Sequence, residues 1–197
     1  LDLSGNLLRS IQVSRLNKVV TFDLDNNRIG ALRSDMFPDM KSLKNLRLTN
    51  NEIENIEANT FANKEFIFDL NLENNRLVHF DTRSVGDLTS LTYLKLSGNR
   101  FERISAGHLS NLVNLVHITF VMNKIDFIEE NSFKNMANLL TLELTSLNLA
   151  SLNSSRIFAG LSNLCILSVR NSSLQRLESR IFTELTSLEI FELSSNN

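Results

Sequence analysis

The chain has 197 residues, 42% hydrophobic and 21% charged, with a formal net charge of −2. Such a composition excludes a disordered chain, and the small charge excludes a strong basic field for nucleic acid or an anionic membrane. No run of about 18 apolar residues is present to span a bilayer, and a lone Cys165 excludes an internal disulfide or a thiolate metal cluster.

One alternating motif begins at the first residue. Leu1 and Leu3 lead to Asn6, Phe22 and Leu24 to Asn27, Leu46 and Leu48 to Asn51, and Leu70 and Leu72 to Asn75. Leu94 and Leu96 then lead to Asn99, and Ile118 and Phe120 to Asn123. Leu147 and Ser172 hold the asparagine slot in the next two turns, and Asn196 restores it. The step is 21 residues once, 25 once, between Leu147 and Ser172, and 24 otherwise. An apolar residue also follows each slot by two, as in Ile29, Ile53, Leu77 and Phe101.

Period-two alternation predicts a short strand before each slot. Strands that repeat in one direction need a return path, so the sheet is expected to be parallel. The returns, such as 53–61, show little helical periodicity and read as turns with brief helical or extended pieces, and Pro38 is the chain's only proline. A lone coil of this kind cannot bury its apolar side, whereas stacked coils can. The expected fold is therefore an α/β solenoid: a right-handed horseshoe with a concave parallel sheet and mostly irregular or short helical convex returns. It runs as one array over residues 1–197, with eight to nine repeats. Both ends fall inside a repeat, so the array is expected to be truncated at each.

A second column lies ten residues after the slot: Leu16, Phe37, Phe61, Val85, Leu109, Phe133 and Phe182, with Phe158 eleven after Leu147 in the longer repeat. Its rings are expected to form an internal spine with edge-to-face contacts. The slot asparagines Asn6, Asn27, Asn51, Asn75, Asn99, Asn123 and Asn196 are expected to form a ladder. The chain leaves the sheet there, and an amide offers donors and an acceptor to backbone groups that lose their partners. Leu147 cannot do this and Ser172 only in part, so looser or altered turns are expected at both. Using Asn148 instead would bring Thr145 into the core column. Cys165 is expected to be a small, partly buried side chain beside Leu164.

Leu91-Thr-Tyr-Leu94-Lys-Leu96-Ser-Gly-Asn99-Arg-Phe101 reads L-x-x-L-x-L-x-x-N-x-hydrophobic, and residues 51–61 continue it with Phe61 in the aromatic column. In this the chain resembles the leucine-rich repeat proteins, most of all their 24-residue animal extracellular type. The resemblance implies an ectodomain like those of Toll-like receptors, Slit-like guidance proteins, small matrix proteoglycans or neuronal adhesion receptors. Such proteins bind a protein ligand, a co-receptor or a glycan and are not enzymes. Lys64 departs from the pattern by occupying a usual leucine position, and the disulfide-bonded caps of secreted members are not seen.

The residues between the core leucines line the inner surface. Its early part is acidic apart from Arg47, with Asp23, Asp25, Asp69 and Glu73. Its middle carries Tyr93, His117 and Val121, aromatic and apolar where a solvated sheet should be polar. Tyr93 and His117 are the candidate anchors for a partner, Lys95, Glu143 and Arg170 set its orientation, and Thr119 and Val121 complete the patch. Asn153-Ser-Ser155 and Asn171-Ser-Ser173 have the form of glycosylation acceptors and point outside the cell. No catalytic residue, metal site or cofactor is assigned. His79, His108 and His117 fall at different phases of the repeat, and the acidic residues sit on an open sheet with no enclosed pocket. Nucleic acid is not an expected partner, and a membrane would be reached only through an anchor outside this sequence. The expected function is an extracellular or cell-surface binding module; a matrix protein and an intracellular scaffold are the alternatives.

Overall fold

A computed structural model describes residues 1–79, 82–109 and 111–196. Eight three-residue strands form one parallel sheet: Thr21–Asp23, Asn45–Arg47, Asp69–Asn71, Tyr93–Lys95, His117–Thr119, Thr141–Glu143, Ile166–Ser168 and Ile190–Glu192. A parallel bridge from Asp2 to Asp23 continues the sheet toward the first motif. The strands stack in sequence order, as expected when each coil contacts only its neighbours. Register follows the repeat: Leu46 pairs with Leu70, Leu70 with Leu94, and Leu94 with Ile118. The returns carry three small pairs of two-residue strands and, among the described residues, one short helix, Thr82–Val85.

The core lies between the sheet and the returns. Phe22, Leu46, Leu70, Leu94, Ile118, Leu142 and Leu167 are fully buried, and so are the leucines and isoleucines two residues past each slot from Ile29 to Leu149. Full burial of such a side chain contributes about 1.5–3 kcal/mol before conformational entropy is set against it. The aromatic column is internal but not edge-to-face. Phe37 and Phe61 lie 6.2 Å apart at 9°, and Phe133 and Phe158 6.3 Å apart at 28°. Translation by one repeat copies each ring's rotamer, so column neighbours end up near parallel. Edge contacts form instead between different columns, as between Phe22 and Phe37 at 89°. Phe182 also departs from the expectation: Ile181 takes the buried position, and Phe182 stands at the surface against Phe191.

Each interior slot asparagine works in two coils. Asn99 Nδ2 donates to Leu96 O in its own coil at 3.0 Å and to Leu72 O in the coil before at 2.9 Å, while its Oδ1 accepts Leu77 N–H at 2.9 Å. Asn51 and Asn75 repeat the pattern. Leu147 stays in the slot, because Leu142 remains in register with Ile118. Its turn keeps the left-handed residue of the other turns, Ser146 at φ 57°. Without an amide, though, no acceptor reaches Ile125 N–H among the described residues. Ser172 Oγ donates to Leu144 O at 2.9 Å and accepts Leu147 N–H at 3.3 Å, leaving Leu149 N–H without an acceptor among the described residues. The Ser172 turn is the altered one, with a second left-handed residue, Ser173 at φ 57°.

Lys64 is buried in its leucine position. Its Nζ donates to Ala62 O at 3.0 Å, and burial pushes its pKa down.

Candidate functional site

Successive strands place the concave side chains in rows. Tyr93 stands beside His117 in register, and Lys95 beside Thr119 and then Glu143. Tyr93 is 42% exposed. Its ring centroid lies 6.4 Å from that of His117, and His117 Nε2 lies 3.9 Å from Glu143 Oε1. Lys95, His117, Val121 and Glu143 are half-buried around an open depression of 440 Å³ that Glu73 and Ser97 also line. Arg170 stands apart from this depression, exposed and paired with Glu192 at 3.4 Å.

Thr119 is the most buried residue of the patch. It is 5% exposed, flanked in register by the longer Lys95 and Glu143, with its hydroxyl hydrogen-bonded to Ser97 Oγ at 2.5 Å. It forms part of the floor of the depression.

The face as a whole is acidic. Six carboxylates (Asp23, Asp25, Asp69, Glu73, Glu143 and Glu192) stand against Arg47, Lys95 and Arg170. Asp23 pairs with Arg47 at 3.6 Å. Burial raises the pKa of Asp25, as does neighbouring Asp23, against the pull of the Thr49 N–H donated to its Oδ1 at 2.6 Å. Among the described residues no group of three or more histidines, cysteines or acids is arranged to hold a metal. An open sheet offers binding by complementarity.

Two amide rows border the sheet that the periodic leucines did not reveal. Asn26, Asn50 and Asn74, each one residue before a slot and in the left-handed region, bond side chain to side chain at 2.9 Å. The Asn-Asn doublets are their sequence signal, since asparagine tolerates positive φ. Gly98, at φ 68°, carries no amide and ends this row, and the Asn74 side chain extends into the space its Cβ would take. The next position is Met122, at φ 57° and 67% exposed. On the opposite rim Asn114, Asn138 and Asn163 each donate to a carbonyl of the preceding coil. Exposed Asn153 follows the Ser151–Leu152 strand, and Asn171, also exposed, donates to Ser146 Oγ at 3.2 Å. Cys165 is half-buried in the trough along that opposite rim.

The family model described as Leucine rich repeat matches residues 17–77 and 67–125, more than half of the chain. The chain belongs to the leucine-rich repeat family. No curated protein matches it by sequence. Among solved structures, the leucine-rich repeat array is similar to the crystal structure of a TLR13–ssRNA13 complex, with a TM-score of 0.85 and 25% identity. The match covers 95% of this chain and 28% of that one, so the array spans under a third of that protein's length. No helix among the described residues is long and apolar enough to cross a membrane.

Proposed function

We propose that this array is a segment of an extracellular or cell-surface receptor or adhesion ectodomain that binds a protein partner or co-receptor on the middle of its concave face. One observation carries the reading: Tyr93, 42% exposed, stands on the sheet face that points away from the core. Aromatic side chains ringed by polar groups are the usual seed of a binding hot spot. Tyr93 and His117 are the anchors; Lys95, Val121 and Glu143 surround them, Arg170 orients the partner from one side, and Thr119 supports the floor. No catalytic step is assigned. Residues 1–197 act as one array of eight to nine repeats, and Asn153 and Asn171 carry glycans, both being exposed. Loss of mass from the secreted protein on glycosidase treatment tests the glycans.

The alternatives are a matrix protein that organises fibres and an intracellular scaffold; a glycan partner also fits a row of hydrogen-bonding side chains. The TLR13 structure contains single-stranded RNA, but the excess of carboxylates on this face disfavours a polyanion. The test is affinity purification of the partner on the full-length protein, followed by substitution. Tyr93→Ala with His117→Ala is expected to weaken the purified complex at least tenfold, since hot-spot side chains dominate binding. Unchanged affinity defeats the assignment.

A further inference from the structure

We propose that the corner formed by Phe66, Phe68, Asp69 and Tyr93 seats a cationic side chain, arginine or lysine, of a protein partner. This rests on the reading of the concave face as a protein-binding surface and adds the chemistry of what binds there.

Asp69 is the exception among the concave acids. Asp23 has Arg47, Asp25 has the Thr49 N–H, Glu73 the Asn71 amide, Glu143 the nearby His117, and Glu192 has Arg170. The half-buried Asp69 carboxylate receives no hydrogen bond or ion pair among the described residues, and its Oδ1 is shielded from solvent. A carboxylate oxygen that has lost water without gaining a donor is costly, and such groups call for an explanation.

The same strand end carries exposed rings. Phe66 is 54% exposed and Phe68 37%. The equivalent pair is Ser42 and Lys44 one repeat earlier, and Ser90 and Thr92 one repeat later. Tyr93 lies on the adjoining backbone: its N–H donates to Phe68 O at 2.9 Å, and it sits in register with Asp69. Exposed rings on the residues that flank this carboxylate in sequence and in register suit one partner group above others. A guanidinium stacks on rings through its flat face and donates to a carboxylate through its edge, and an ammonium combines the same two attractions less directionally. A phosphate would meet Asp69 as a like charge, and a wholly apolar group would leave the carboxylate unserved.

Tyr93 is the only tyrosine in a chain without tryptophan, so tyrosine emission reports on this corner alone. The probes are a blocked Leu-Arg-Leu peptide, its Leu-Glu-Leu counterpart and a short oligo-uridine, each titrated into the full-length protein; if that protein carries other fluorophores, the array alone is used once its folding is verified. Leu-Arg-Leu is expected to change Tyr93 emission saturably. Affinity should fall at least tenfold in Asp69→Asn and in Phe68→Thr, the latter copying the next repeat and so preserving the fold. No saturable response to Leu-Arg-Leu, or an equal one in Asp69→Asn, overturns the cation seat. Saturation by Leu-Glu-Leu or oligo-uridine in its place also overturns it, while leaving the concave binding surface standing.

Discussion

Asn99→Leu and Asn123→Leu make one chemical change at neighbouring rungs, and their costs should differ. Each removes the acceptor of one backbone N–H, that of Leu77 or that of Phe101. In Asn99→Leu all three carbonyls served by the lost amide keep a donor, since Asn75 still reaches Leu72 O at 3.1 Å, Asn123 reaches Leu96 O at 3.0 Å and the Asn74 N–H reaches Ser97 O at 2.8 Å. In Asn123→Leu, Leu96 O keeps Asn99, but Phe120 O loses its only donor among the described residues, because Leu147 holds the next slot. An unpaired buried backbone group costs about 1–3 kcal/mol, so the second variant should be less stable than the first by about that amount. The leucine introduced is common to both and largely cancels. Urea unfolding gives the difference, with amide exchange at Leu77 and Phe101 as a local reading, since repeat arrays do not always unfold in two states. Equal unfolding free energies would refute the view that each carbonyl is shared between two rungs.

Lys64→Leu should stabilise the array by about 1–2 kcal/mol, because it adds apolar burial and spares a cation its desolvation; a lower urea midpoint would contradict this. Met122→Asn should raise the thermal midpoint, gaining roughly 1 kcal/mol by placing an αL-tolerant residue at φ 57°; a lower midpoint would mean the methionine packs favourably. Asp25→Asn tests linkage. Burial raises the folded-state pKa of Asp25, so its contribution is fully present below the unfolded value and is lost as pH rises through the raised one. Wild type should therefore gain stability relative to the variant on acidification from about pH 7 to about pH 3.5, and a constant difference would show that burial does not perturb this carboxylate.

The periodic features were legible in the sequence because a repeat averages its own evidence. Nine copies of one spacing fixed strand phase, core columns and slot residues together, and even Leu147 keeps its place because its strand leucines outweigh the lost amide. Departures that depend on one neighbourhood were not legible. The burial of Thr119 follows from the lengths of Lys95 and Glu143 on either side, and the exchange of Phe182 for Ile181 follows from packing against Phe191. The aromatic geometry was not legible either, because isolated ring pairs prefer edge contacts, whereas translated copies inherit one orientation. Asp69 looked like one acid among several until the partners of the others were known.

The missing amide at Leu147 has a mechanical consequence. Along the slot column, from Asn27 to Asn123, every boundary between coils is stitched by an amide that grips both, whereas from Ile125 to Leu149 the stitching of that column thins, among the described residues, to one serine hydroxyl, and the rim amides Asn138 and Asn163 are left to share the load. Under tension along the solenoid axis, rupture should begin at this seam and release two blocks of coils, and thermal bending of the array should concentrate there.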